Sequence, residues 1–176
     1  CSLFLWRYGM QIQNIFFVFF TVLSCVFICI HPDRLFAAFR KKPSRHLLWH
    51  LPVFLLICFV LSWLLQNSSA LPVTPFTIFR VIIFTPICEE MIFRGGLQLC
   101  IPFFCRDGMV DRCSRILCSA IAFALIHTFW KQMLFSFTAG VLLGIAVERE
   151  KSIWSCICMH AAANAAAVIG VAGVFR

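Results

Sequence analysis

The sequence predicts an all-α protein, a polytopic transmembrane bundle of about six spans with a four-helix catalytic core. Hydrophobic residues make up 62% of the 176 residues, and the mean hydropathy is +0.95. Charged residues make up only 12%, whereas a typical soluble domain has about 25%. Apolar stretches near the length that crosses a bilayer recur along the chain. The length suits one compact bundle, for which the lipid bilayer is the expected environment. Because the printed sequence begins at Cys1, we expect a processed or truncated product.

The apolar stretches are separated by residues that end or bend helices. Proline at 32 cannot continue a helical ladder, so the first span is expected to end at 31–32. A polar turn is expected at 67–69. Pro86 lies inside the third span, where we expect it to kink the helix or to free a backbone carbonyl. The fourth and fifth spans are joined at 130–131, which predicts a tight antiparallel pair. The predicted spans are 12–30, 47–66, 75–100, 113–129, 132–147 and 153–174.

The basic residues predict how the spans are oriented. The net charge is +8, and ten Lys and Arg residues lie between alternate pairs of spans: five in the first loop, three in the third and two in the fifth. Only three, Arg7, Lys131 and Arg176, lie on the opposite side. Because cytoplasmic loops carry an excess of Lys and Arg, the ten-residue side is predicted to be cytoplasmic. The charge therefore needs no nucleic-acid partner, and we expect none.

Charged residues inside the third span are the strongest functional signal. Glu89, Glu90 and Arg94 lie within a long apolar segment. One charge at the bilayer centre costs roughly 2.5–3.5 kcal/mol, so three within six positions indicate a function. Glu90 and Arg94 are four residues apart and are expected to pair on one helix face. Glu89 has no obvious partner on its own helix and is the better candidate for a catalytic base.

Two later spans carry polar residues at similar expected depth. His127 lies four residues after Phe123, and Asn164 lies four residues after His160. At about 1.5 Å per residue, Glu89, His127 and His160 lie roughly 15, 18 and 12 Å from the predicted cytoplasmic ends of their spans. We therefore expect Glu89, both histidines and Asn164 to converge in one chamber. A carboxylate base, a histidine proton partner and an oxyanion donor are the parts needed to hydrolyse an amide with water.

Three motifs on these spans resemble those of a known family. The segments 89–94, 123–127 and 160–164 match EExxxR, FxxxH and HxxxN, in that order. They are the motifs of the CAAX-protease and bacteriocin-processing (CPBP) family of intramembrane endopeptidases, and the resemblance covers about residues 75–170. We accordingly divide the chain into an N-terminal transmembrane hairpin with a cytoplasmic basic loop (1–74) and a catalytic transmembrane core (75–176).

The resemblance implies a role for each motif residue. It assigns activation of the water to Glu89 and His127, and stabilisation of the oxyanion to His160 and Asn164. The residues expected to support the site are Glu90, Arg94 and Phe123, the last by packing. The expected substrate is a membrane-associated protein or peptide, of the CAAX-prenylated type where the cell prenylates proteins. The short chain favours a bacterial-type member in the plasma membrane.

Three other interpretations remain open at this point. A zinc-dependent version of the same protease is conceivable, because two carboxylates and two histidines could supply three ligands and leave a position for water. The leading hypothesis needs no cofactor. A non-catalytic binding or bacteriocin-immunity protein would keep the motifs without using them for chemistry. A proton-coupled transporter would use intramembrane carboxylates and histidines as a relay, although no inverted repeat is visible.

Overall fold

The computed structural model describes residues 2–65, 74–100, 108–127 and 129–171. Helices account for nearly all of these residues, which include no strand, so the prediction of an all-α bundle is confirmed. The fourth helix is continuous but changes its winding three times. The helices are α1 (Ser2–Ile30), α2 (Pro32–Arg40), α3 (Leu47–Leu65), α4 (Pro75–Phe79, Arg80–Phe84, Thr85–Glu90 and Met91–Leu99), α5 (Gly108–Leu125), α6 (Trp130–Glu150) and α7 (Ile153–Val171).

Each predicted span coincides with a helix, although several boundaries differ from the prediction and one helix was not predicted. The segment after His31, predicted to be a basic loop, forms α2 and bends by 91° from the preceding helix. Pro32 at the start of α2 explains both the break and the new helix, because proline is tolerated in a first turn. Helix α5, which corresponds to the predicted fourth span, ends at Leu125 rather than near 129. The predicted turn at 67–69 and the predicted span ends at 66 and 174 lie outside the described residues.

The helices differ in how well they fit a bilayer. By length and apolar composition, one of the described helices, α6, is able to cross a membrane by itself. The bent pair Asn14–Ile30 and Pro32–Arg40 is a second candidate, and Trp49–Ser62 and Ile153–Ile169 are apolar but shorter. The prediction of six spans therefore stays a prediction.

Helix α4 lies at the centre of the bundle. The carbonyls of Ile92 and Phe93 accept hydrogen bonds at 2.8 Å from the hydroxyls of Ser24 on α1 and Ser119 on α5. Gly96 lies so close to α1 that a Cβ built on it would be 2.8 Å from the Ser24 Cα. Small residues allow this close approach of helices. These contacts fix the part of α4 that follows the two glutamates.

The three basic segments meet at one end of the bundle. Ser152 donates a hydrogen bond to the Lys41 carbonyl at 2.6 Å, which joins the α6–α7 connection to the α2–α3 connection. Arg115 on α5 forms an ion pair with Glu148 on α6 at 3.3 Å. Glu150 is 4% exposed and bonds the side chain of His50 at 3.1 Å. The grouping that the charge count predicts is therefore present, and its cytoplasmic orientation stays a prediction.

Candidate active site

The two glutamates lie in a short α-helical segment between two π-helical segments of α4. In the first π-helical segment, the backbone N–H of Thr85 bonds the Arg80 carbonyl, five residues earlier. Pro86 is the next residue in this register and has no N–H, so it leaves the Val81 carbonyl without its partner. Asn164 Nδ2 on α7 donates to that carbonyl at 2.9 Å. Of the two effects expected of Pro86, the structure shows the freed carbonyl, and a motif residue satisfies it.

Glu90 forms the buried centre of the site. Its Oε2 lies 3.2 Å from Arg94 Nε, and both side chains are completely buried, as the four-residue spacing predicts for an ion pair. Its Oε1 lies 2.8 Å from His160 Nδ1. Arg94 also donates to the Gly140 carbonyl on α6 at 3.3 Å. Because an ionised carboxylate only accepts hydrogen bonds, Glu90 holds the proton of His160 on Nδ1.

Glu89 approaches the same histidine from the other side of the ring. The distance from Glu89 Oε2 to His160 Nε2 is 3.6 Å. The Glu89 side chain is 14% exposed, whereas that of Glu90 is completely buried. One imidazole therefore links two consecutive carboxylates, and only Glu89 lines the adjacent cavity.

His127 lies two residues beyond the end of α5, which corrects the prediction that it belongs to the span. Its backbone N–H bonds the Ala124 carbonyl at 3.0 Å, and its Nδ1 lies 2.9 Å from the Phe123 carbonyl. A carbonyl only accepts, so Nδ1 carries the proton and Nε2 is left as the acceptor nitrogen of the ring. Because α5 ends before His127, the orientation of the His127 ring is set by these two hydrogen bonds and not by a continuing helix.

Phe123 connects these groups by packing. It is 4% exposed, and its ring makes edge-to-face contacts with the rings of His127 and His160 at centroid distances of 5.3 and 5.7 Å. The guanidinium carbon of Arg94 lies 4.9 Å from the centroid of the same ring, a distance suited to a cation–π interaction. Phe123 therefore sets the separation between the two histidines and covers the buried cation.

A cavity of about 290 Å³ brings the four predicted catalytic residues together. Glu89, His127, His160 and Asn164 all line it, and its walls come from α3, α4, α5, α6 and α7. Sequence reasoning missed five further polar residues of the lining. One signal was available, because two of them lie four and twelve residues before Glu89 on α4, at multiples of the four-residue spacing of a helix face. The five are Ser62, Thr77, Thr85, Gln132 and Ser136.

A zinc ion would need at least three His, Cys, Asp or Glu side chains close together. In the part of the chain that the structure describes, no three His, Cys, Asp or Glu side chains are grouped so that they could hold a metal ion. Glu90 is engaged by Arg94 and by His160 Nδ1. The expectation that the chemistry needs no cofactor stays a prediction.

Comparison with known proteins identifies the family. No curated protein and no solved structure matches the chain significantly. The family model described as type II CAAX prenyl endopeptidase, Rce1-like, matches residues 70–166. This match covers more than half of the chain and includes the motifs at 89–94, 123–127 and 160–164. Members of the family are integral membrane proteins. The chain therefore belongs to the Rce1-like family of type II CAAX prenyl endopeptidases.

Proposed function

We propose that this chain is a glutamate-type intramembrane endopeptidase that hydrolyses a peptide bond of a membrane-associated protein. The observation that carries the proposal is that Glu89, His127, His160 and Asn164 line one cavity. A CAAX-type prenylated protein or peptide is the substrate class that the family description supports. The catalytic core is proposed to be 75–176, although α3, from the N-terminal unit, supplies part of the cavity wall.

In the proposed reaction, Glu89 and His127 act on one water molecule. Nε2 of His127 accepts a hydrogen bond from the water and orients it, while the Glu89 carboxylate takes its proton. The water oxygen bonds to the carbonyl carbon of the substrate, and the π electron pair of the carbonyl moves to the carbonyl oxygen, which becomes the oxyanion. The C–N bond then breaks, and the proton held by Glu89 passes to the leaving nitrogen. No protein nucleophile takes part.

Asn164 and His160 are proposed to stabilise the oxyanion. One N–H of the Asn164 amide is bonded to the Val81 carbonyl, which fixes the amide and leaves its second N–H to donate. His160 donates from Nε2 when both ring nitrogens carry a proton, while its Nδ1 is bonded to the Glu90 carboxylate. Loss of one such donor typically lowers kcat by about 10²–10³.

Cleavage of defined peptides tests this proposal. The purified protein in detergent is incubated with farnesylated CAAX peptides and with unprenylated membrane-anchored peptides, in the presence and absence of a chelator. We expect cleavage that survives chelation and is abolished by Glu89→Gln. Asp111→Asn is the matched control, because Asp111 pairs with Arg115 outside the cavity. Cleavage lost to the chelator and restored by zinc would contradict the metal-free mechanism, and full activity of Glu89→Gln would contradict the role of the base.

We also propose that the basic end faces the cytoplasm of a bacterial-type plasma membrane. The ten-to-three distribution of Lys and Arg supports this orientation. An impermeant amine reagent should label Lys131 in intact cells and the exposed Lys41 and Lys42 only after permeabilisation. The reverse pattern, read by mass spectrometry, would contradict the orientation.

A further inference from the structure

Ser136 on α6 has an unused hydroxyl that borders the cavity. The residue is 3% exposed and lines the cavity, but its hydroxyl bonds none of the described residues. A helical serine or threonine in apolar surroundings commonly bonds the carbonyl four residues earlier. Thr138, two positions along the same helix, does so with the Leu134 carbonyl at 3.0 Å. The Ser136 hydroxyl is therefore left for whatever occupies the cavity.

The register between α4 and α6 places Ser136 level with the two glutamates. Arg94 bonds the Gly140 carbonyl, and Gln98 bonds the Gly144 carbonyl at 2.9 Å, so both contacts span the same sequence separation of 46. One turn earlier, the same offset pairs Glu90 with Ser136. This extrapolated register puts Ser136 at the depth of Glu90, and Ser136 lines the same cavity as Glu89.

Gln132 adds a second polar group one turn away on the same face. It also lines the cavity, and neither its amide oxygen nor its amide nitrogen bonds any residue in the described ranges. Residues four apart on a helix lie about 6 Å apart along the axis. Alternate residues of an extended chain repeat at roughly 6.6 Å. The two spacings agree closely enough for Ser136 and Gln132 to bond main-chain groups two residues apart in an extended peptide.

We propose that Ser136 and Gln132 bind the substrate main chain and hold it in an extended conformation opposite Glu89. Ser136 donates to a carbonyl next to the scissile bond, and Gln132 bonds the main chain two residues away. This inference rests on the proposed function and names the substrate class of the same site. A peptide segment that is already extended fits it, whereas a helical segment has its main-chain groups bonded internally.

The test measures binding separately from cleavage. The dissociation constant of a fluorescent farnesylated CAAX peptide is measured in a Glu89→Gln background, which removes turnover. Ser136→Ala and Gln132→Ala should each weaken binding about twofold to tenfold, the range expected for one neutral hydrogen bond. Thr138→Ala is the matched control on the same helix, and its binding should be unchanged. Gln132, in the first turn of α6, provides a second variant if Ser136→Ala does not fold.

Peptides in which one ester replaces one amide at a time identify the bonded carbonyls, because an ester carbonyl is a weaker acceptor. Ser136→Ala should remove the sensitivity to an ester at one position beside the scissile bond. Gln132→Ala should remove the sensitivity to an ester placed two residues from that position. Unchanged dissociation constants in both variants, together with normal cleavage by the unmodified protein, would overturn this inference alone. Binding that depends on Ser136 without any cleavage by the unmodified protein would support the inference and overturn the proposed function.

Discussion

The hydrogen bond from Asn164 to the Val81 carbonyl is open to a direct test, because the chain itself explains why that carbonyl lacks a partner. Asn164→Leu removes the donor at nearly the same volume and keeps water away from the carbonyl. An acceptor left unsatisfied in this way costs about 1–3 kcal/mol. For a chain of this size, a loss of about 2 kcal/mol lowers Tm by roughly 4–8 °C. Thermal unfolding of the purified protein in one detergent measures the effect.

Pro86→Ala supplies the counterpart of this change. Alanine has an N–H that reaches the Val81 carbonyl in the five-residue register that Thr85 already uses. The double variant Asn164→Leu/Pro86→Ala should therefore recover about 1 kcal/mol relative to the sum of the two single effects. Additive losses of stability would refute the argument that Pro86 leaves the Val81 carbonyl without a backbone donor and that Asn164 replaces this donor.

Activity separates the structural role of Asn164 from its proposed catalytic role. If its second N–H donates to the oxyanion, Asn164→Leu lowers kcat by about 10²–10³, and Pro86→Ala restores stability without restoring kcat. Recovery of both in the double variant would show that Asn164 acts on the site only by holding α4 and α7 together.

Two further predictions concern stability. Glu90→Gln should cost about 3–5 kcal/mol, because it leaves the completely buried Arg94 without its counter-charge, whereas Glu89→Gln should leave thermal unfolding nearly unchanged. Gly96→Ala should cost about 1–3 kcal/mol, because the new Cβ would overlap Ser24 on α1 and force the two helices apart. Both effects are measured by the unfolding free energy in detergent.

Each of these predictions has a control within the chain. A Cβ on Gly108 meets nothing within 4 Å, so Gly108→Ala should leave stability within about 0.5 kcal/mol of the unmodified protein. Helix propensity alone favours alanine over glycine, so equal effects at the two glycines would show that contact with Ser24 does not set the cost. For the glutamates, similar losses of stability in both Gln variants would contradict the division into a buried and a cavity-lining carboxylate.

Hydropathy predicted where the helices lie, because length and apolar composition are local properties of the sequence. It did not predict α2, because the charged residues Arg34 and Arg40 are typical of a loop between spans. Leu35 and Ala38, the buried residues of α2, are three residues apart on one face, which was an available signal. The 91° bend before α2 could not be predicted, because it depends on how α2 packs against the rest of the bundle.

The spacing of the motifs predicted which residues share the cavity, but not how they are bonded. Nothing in the sequence after Leu125 signals an end of α5, so His127 was expected on a helix. The partner of each ring nitrogen of His160 could not be predicted either, because it depends on the π-helical winding that flanks the glutamates. Pro86 predicted that a backbone carbonyl near it would lack its helical partner. It did not predict that Asn164 would bond this carbonyl.

The structure also gives a physical reason for two consecutive glutamates in the motif. Adjacent positions on a helix point about 100° apart, so two neighbouring carboxylates meet one imidazole only if that ring lies between their directions. Glu90 forms an ion pair with Arg94 and a hydrogen bond with His160, and it does not line the cavity, so it is suited to holding the ring and unsuited to meeting a substrate. Glu89 reaches Nε2 of the same ring from the cavity side. In the proposed mechanism, the histidine that donates to the oxyanion is therefore fixed by one carboxylate, while the other remains able to exchange a proton with water.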